Sequence, residues 1–134
     1  MSQSNDVRYV AGSVSPIGPD RHPMSQPEPL LPPDIRRISA SIEISDYTTE
    51  GVDEAIRGRY WACVDELVKQ GANSITLAGF PISSQLGRPR ALELLKETTK
   101  RTGVMADSHA EASIDAMRHM GMRRIAIADR KSVV

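Results

Sequence analysis

The stretch "SITLAGFPISSQLGRP", residues 74 to 89, decides how the chain is read. It opens with a short apolar run, stops at Gly79, passes through Ser83, Ser84 and Gln85, and restarts as a helix at "GRPR". A short apolar run suits a parallel strand buried on both faces. Pro89 is tolerated in the first turn of a helix. The unit is therefore strand, loop, helix, and in open α/β sheets the crevice beyond the strand is where ligands are held. Gly79 lets backbone approach a ligand closely. Ser83, Ser84 and the neighbouring amides can bind a carboxylate or a phosphate. The plainer alternative is a connection that merely uses turn residues.

Upstream, "RYVAGSVSP" reads as a short strand ending at Ser13, Ser15 and Pro16. Residues 17–34 hold most of the prolines, which block helix and central strand, so a long loop is expected. In "IRRISASIEI", residues 35–44, Ile38, Ala40, Ile42 and Ile44 recur with the period of a strand. A helix then starts with Thr48 or Thr49 as cap, runs to about Gln70 and stops at Gly71. Its apolar stripe is Val52, Ile56, Tyr60, Val64, Leu67 and Val68.

Downstream, the helix that begins at "GRPR" ends at Gly103, and "VMAD" is a brief strand. A third helix follows, with Ser108 and Glu111 spaced as a capping box and Gly121 as stop. "RRIAIAD", residues 123–129, reads as a last strand. This alternation predicts an α/β fold, a parallel sheet with helices on both faces. The stretches "SVSPIG", "GFPISSQ", "ADRK" and the "ADS" ending at Ser108 reach its carboxyl edge.

At 134 residues the chain suits one domain with a real core. Lys plus Arg and Asp plus Glu are both 17, so no net field points to nucleic acid or an anionic membrane as partner. No apolar run approaches the roughly 18 residues of a membrane span. The polar first 30 residues lack the apolar core of a signal peptide. With Cys63 as the sole cysteine, a cytoplasmic location is the expectation. Residues 1–7 read as a disordered start, residues 8–130 as a single α/β lobe, and residues 131–134 as a tail.

Cys63 lies mid-helix beside the buried stripe, with no activating base in register, and reads as a packed residue. His22, His109 and His119 are scattered, with no zinc spacing, and no metal is expected. Only His109, next to Ser108 at the crevice edge, is a site candidate. Arg88 and Arg90 flank Pro89 and either meet an anionic substrate or form a solvated face. There is no dinucleotide fingerprint and no P-loop.

The stretches "TTEGVDEAIRGRYWACVDELVKQGANSITLAGFPIS", "KRTGVMADSHAEASIDAMRHMGMRRIAIAD" and the early "GSVSP" are similar in order and spacing to the N-terminal lobe of the aspartate/glutamate racemase superfamily. The nearest likeness is to arylmalonate decarboxylase and maleate cis-trans isomerase. That resemblance implies a flavodoxin-like lobe, one of two, with the second lobe not in this sequence. Racemases and isomerases of this kind use one cysteine from each lobe. The decarboxylase branch has glycine where the N-lobe cysteine would stand, and Gly79 matches that state.

The implied activity is a cofactor-independent decarboxylase, a lyase, acting on a malonate-type small carboxylic acid or dicarboxylate. Alternatives are a maleate isomerase, an Asp/Glu racemase-like enzyme, or a non-catalytic carboxylate-binding module. The implied substrate-binding residues are Pro16, Gly79, Phe80, Pro81, Ser83, Ser84 and Ser108, with no catalytic residue in this chain. Two departures stand out. Phe80 and Pro81 occupy positions where the decarboxylase has hydroxyl residues, and "DRKSVV" replaces the region of an expected tyrosine. Exposed apolar surface, with scope for self-association, is expected where a second lobe would pack.

Overall fold

A computed structural model describes residues 7–17 and 31–126. Residues 1–6, most of the proline-rich stretch (18–30) and residues 127–134 lie outside it, and with them the expected disordered start, His22, the tail and the end of the last expected strand. Strands β1 (Tyr9–Ser15), β2 (Ile35–Ser41), β3 (Ser74–Leu77) and β4 (Met105–Ser108) pair in parallel in the order β2-β1-β3-β4. This is flavodoxin-like order, and the direction of winding reverses between β1 and β3. Asn73 extends that central pair beyond β3: its side-chain oxygen accepts from the Val10 amide at 2.7 Å, and its own amide donates to the Val10 carbonyl.

The long first helix is built in three parts: α1 (Thr49–Ala55), a π turn (Ile56–Tyr60) and α2 (Trp61–Lys69). Thr48 caps it, its hydroxyl accepting from the Gly51 amide at 3.1 Å. The π turn follows from the sequence. Val52, Ile56, Tyr60 and Val64 recur every four residues, and at 3.6 residues per turn that stripe drifts about 40° per step. A wider turn takes up the drift, and all four side chains stay buried. Gly12 lets α2 settle on the sheet: a Cβ there would lie 3.2 Å from Ala72 Cβ and 3.5 Å from Leu67 Cβ.

The helix α4 (Arg88–Thr102) lies beside α2. Arg101 stacks over the Trp61 ring at 4.6 Å and pairs with Asp65. Beneath them, Tyr60 and Thr98 are fully buried, and their hydroxyls lie 2.8 Å apart. The Thr98 hydroxyl donates to the Leu94 carbonyl, so it accepts from Tyr60. The core is Val14, Ile42, Val52, Val64, Leu67, Ile75, Leu77 and Ile82 with their neighbours.

The sheet face bearing Val10, Gly12, Val14, Ile75 and Leu77 is buried. Ala11, Ser13, Ser74, Thr76 and Asp107 share the opposite face and are only half-buried. Helices are expected on both faces; the described helices α2 and α4 form one layer, on the buried face.

Two elements differ from the sequence reading. The stretch read as a polar loop contains a helix, α3 (Phe80–Leu86), and the third long helix is α5 (His109–His119). The expected strand at 123–129 is absent from its described part: residues 123–126 carry no regular structure and are exposed. Among the described residues no helix is long and apolar enough to cross a membrane.

The Tyr60–Thr98 bond predicts an unequal pair of substitutions. Tyr60→Phe removes one bond and leaves Thr98 satisfied through Leu94, so unfolding should become easier by about 1 kcal/mol. Thr98→Val strands a buried phenol without its acceptor, and the loss should be larger, about 1–3 kcal/mol. Denaturant unfolding of the two variants checks the order.

Candidate functional site

Three connections meet where the strand order reverses. After β1, the Ser15 hydroxyl donates to the Ile17 carbonyl at 2.8 Å and accepts from its amide, closing a tight turn that presents Pro16. After β3, Ala78 stays in the ladder by donating to Val14. The chain then turns at Gly79 with φ 97° and ψ 113°. A Cβ there would sit 3.3 Å from Pro16 Cγ, so Gly79 and Pro16 are in contact. After β4, His109 reaches across, and its Nδ1 accepts from the Gly79 amide at 3.2 Å. A neutral His109 therefore carries its proton on Nε2. The exposed ring of Phe80 lies 6.5 Å from the imidazole, tilted by 48°.

Beside this crevice is a recess of about 480 Å³ between α3, α4 and the start of α5. Phe80, Pro81, Ser83, Ser84 and Ser108 all line it. Five of the seven expected site residues thus share one recess, and Pro16 and Gly79 meet at its neighbour. Their hydroxyls are not equivalent. Ser84 Oγ donates to the Pro81 carbonyl at 3.0 Å. Ser108 is fully buried, and its Oγ caps α5 by accepting from the Glu111 amide at 3.2 Å. Ser83 Oγ is buried with no hydrogen-bond partner.

The capping box is only half formed. The Glu111 carboxylate turns to Arg88, taking Nε at 2.8 Å and Nη2 at 3.0 Å. The Ser108 amide donates instead to Asp107 Oδ1 at 2.7 Å. Hydrogen bonding to Arg88 holds the Glu111 carboxyl below the ordinary range. Arg90 is likewise engaged: it and Arg57 grip Asp53, whose carboxyl they hold low. Both arginines beside Pro89 are thus tied to internal carboxylates. Cys63 is buried, its thiol donating to the Ser41 carbonyl at 3.4 Å, and burial pushes its pKa up. His119 is exposed at the far end of α5.

Sequence reasoning missed the bonds Gly79–His109 and Arg88–Glu111. Their partners are 30 and 23 residues apart, beyond any local pattern. A clue lay in the register: Leu77 pairs with Ser108, which brings the residues that follow each strand side by side. Ile17, Tyr47 and Phe80, following β1, β2 and β3, are 37%, 39% and 56% exposed. They form an apolar rim on the carboxyl edge.

The family model for arylmalonate decarboxylase matches residues 15–132. No curated protein sequence matches the chain. Among solved structures, a liganded arylmalonate decarboxylase carrying one glycine-to-cysteine and one cysteine-to-serine substitution matches with a TM-score of 0.69 at 24% identity. The match covers 88% of this chain and 49% of that one, so the chain spans about half the length of its solved neighbour. At that identity the likeness is one of fold.

Two predictions follow from the recess. Ser83→Ala deletes an unpartnered buried hydroxyl and should leave stability unchanged or raise it by up to about 1 kcal/mol, read by thermal unfolding. The second concerns acid. The carboxyls of Asp53 and Glu111 are held low in the fold, so the folded state binds fewer protons than the unfolded one. Their stabilisation is complete above the ordinary carboxylate range near about pH 4 and is lost as pH falls through the lowered folded values. Glu111→Gln should therefore lessen the loss of stability on acidification, measured as the melting temperature against pH.

Proposed function

Since this chain belongs to the arylmalonate decarboxylase family, we propose that it forms the N-terminal lobe of a cofactor-independent decarboxylase acting on malonate-type small acids. The observation that carries this reading is the backbone at Gly79. Its φ of 97° is one that L side chains rarely adopt, and Pro16 fills the space beside it. A cysteine at this place, as the two-thiol isomerases and racemases of the resemblance require, would be strained and would press on Pro16. Cys63 is no substitute, being buried and bonded to Ser41. The Gly79 backbone supports the glycine state of the decarboxylase branch over the two-thiol state.

In this reading a substrate carboxylate lies against the Gly79 backbone. The other carboxylate leaves as CO2, and its bonding electrons pass into an enediolate on the retained group. Donors at the edge meet the charge as it develops on those oxygens. Pro81 has no amide hydrogen and Ser84 gives its proton to Pro81, so the donors in this chain are the Gly79 and Phe80 amides and the Ser83 hydroxyl. The carbanion carbon then takes a proton from a thiol of the second lobe. That lobe would close on the apolar rim of Ile17, Tyr47 and Phe80. A cytoplasmic location belongs to the same reading.

Nuclear magnetic resonance with malonate and methylmalonate tests it. The amide signals of Gly79, Phe80 and Ser83 should shift on titration, and those around Cys63 should not. Release of CO2 should require a cysteine-bearing second lobe and should survive Cys63→Ala. Malonate that moves no signal at the Gly79 edge would sink the reading. Gly79→Cys should destabilise the fold by about 1–2 kcal/mol, the scale of a forced left-handed backbone, without creating isomerase activity.

A further inference from the structure

The Gly79 amide is already hydrogen-bonded to a titratable side chain, His109 Nδ1, at 3.2 Å. An imidazole accepts such a bond only while that nitrogen is unprotonated. A protonated imidazole donates from both nitrogens, so the bond ends on protonation. A carboxylate accepts and never donates. It therefore cannot sit against the Gly79 N–H beside an accepting Nδ1 without lone pair facing lone pair. Once His109 is protonated, the conflict becomes a match: the amide and the imidazolium both donate to the same anion. His109 is exposed and can swing between the two partners by side-chain rotation alone.

We infer that His109 is a carboxylate-binding residue that exchanges partners with its charge. In the ligand-free structure its Nδ1 accepts from Gly79. A dicarboxylate binds with uptake of one proton from solvent by His109, which then donates to the ligand beside the Gly79 amide. The inference rests on the reading that this edge holds carboxylates, and it adds a residue and a proton to it. The charged groups on the adjoining described elements are already engaged. Asp107 on β4 accepts from the Ser108 amide, and Glu111 on α5 and Arg88 on α4 are bonded to each other. Pro16, Gly79, Phe80 and Pro81 bring no charge.

Malonate is the probe, because both its carboxylates are ionised above about pH 7. Calorimetric titration in buffers of different ionisation enthalpy should register uptake of about one proton. Affinity should weaken as pH rises, by up to roughly tenfold per pH unit for the uptake of one proton. His109→Asn, or His109→Gln should the first fold poorly, cannot titrate, and should bind without uptake and with a flat pH profile. In the ligand-free wild type, the Gly79 amide signal should follow the His109 titration. Binding without proton uptake, uptake that persists in the Asn variant, or a Gly79 signal indifferent to pH would each overturn the inference and leave the carboxylate edge standing. A failure of malonate to bind at any pH overturns both.

Discussion

A single left-handed turn of backbone governs the carboxyl edge. At the end of β3 the chain passes through φ 97° at Gly79, and the space a side chain would need there is taken by Pro16 from the turn after β1. From that one residue the chain starts α3 in one direction and sends an amide toward His109 in the other. Any larger residue would press on the β1 turn and strain its own backbone together. The edge therefore offers backbone, hydroxyl and imidazole groups, and no thiol.

Much of this was legible in the sequence, because the signals were periodic or local. The short strand Tyr9–Ser15, the apolar run at 74–77 and the Ser108 cap all sit where the sequence put them. The helix α3 was hidden for a physical reason. It follows a glycine with no side-chain cap and is only seven residues long, too short for an apolar stripe to repeat, although Pro81 in its first turn is as compatible with a helix start as Pro89 is. The π turn was invisible as such, although the four-residue spacing from Val52 to Val64 demanded it. At Glu111 the capping motif was real in spacing, but Arg88 outcompeted the Ser108 amide for the carboxylate. Of the recess lining, Phe80, Pro81, Ser83, Ser84 and Ser108 are singled out through the family resemblance. Which hydroxyl keeps a free bond could not be read, because that depends on contacts between segments far apart in the chain.

The disposition of charge bears on how a chain of zero net charge would meet the anion of the proposed reading. The guanidiniums nearest the Gly79 loop in sequence, Arg88 and Arg90, are committed to Glu111 and Asp53. They brace α4 against α5 and α1. In the proposed reading, an acid at the edge meets neutral amide and hydroxyl donors, which hold an anion by aim more than by field, together with His109, whose charge arrives only with the ligand. Such donors favour one shape of ligand over another, where a bare cation would draw anions of many kinds.

The attachments of α5 set it apart from the other long helices. Glu111 is its one buried residue, and polar contacts tie its first turn to the body: the Ser108 cap, the Arg88–Glu111 pair and the Gly79–His109 bond. The helix α2, by contrast, buries Cys63, Val64 and Leu67. Regions held by few buried apolar contacts open locally at far lower free energy than the core. One wall of the recess thus rests mainly on polar contacts, and it should open locally more readily than the sheet and α2. The same weak seam would give α5 the fastest amide exchange among the long helices.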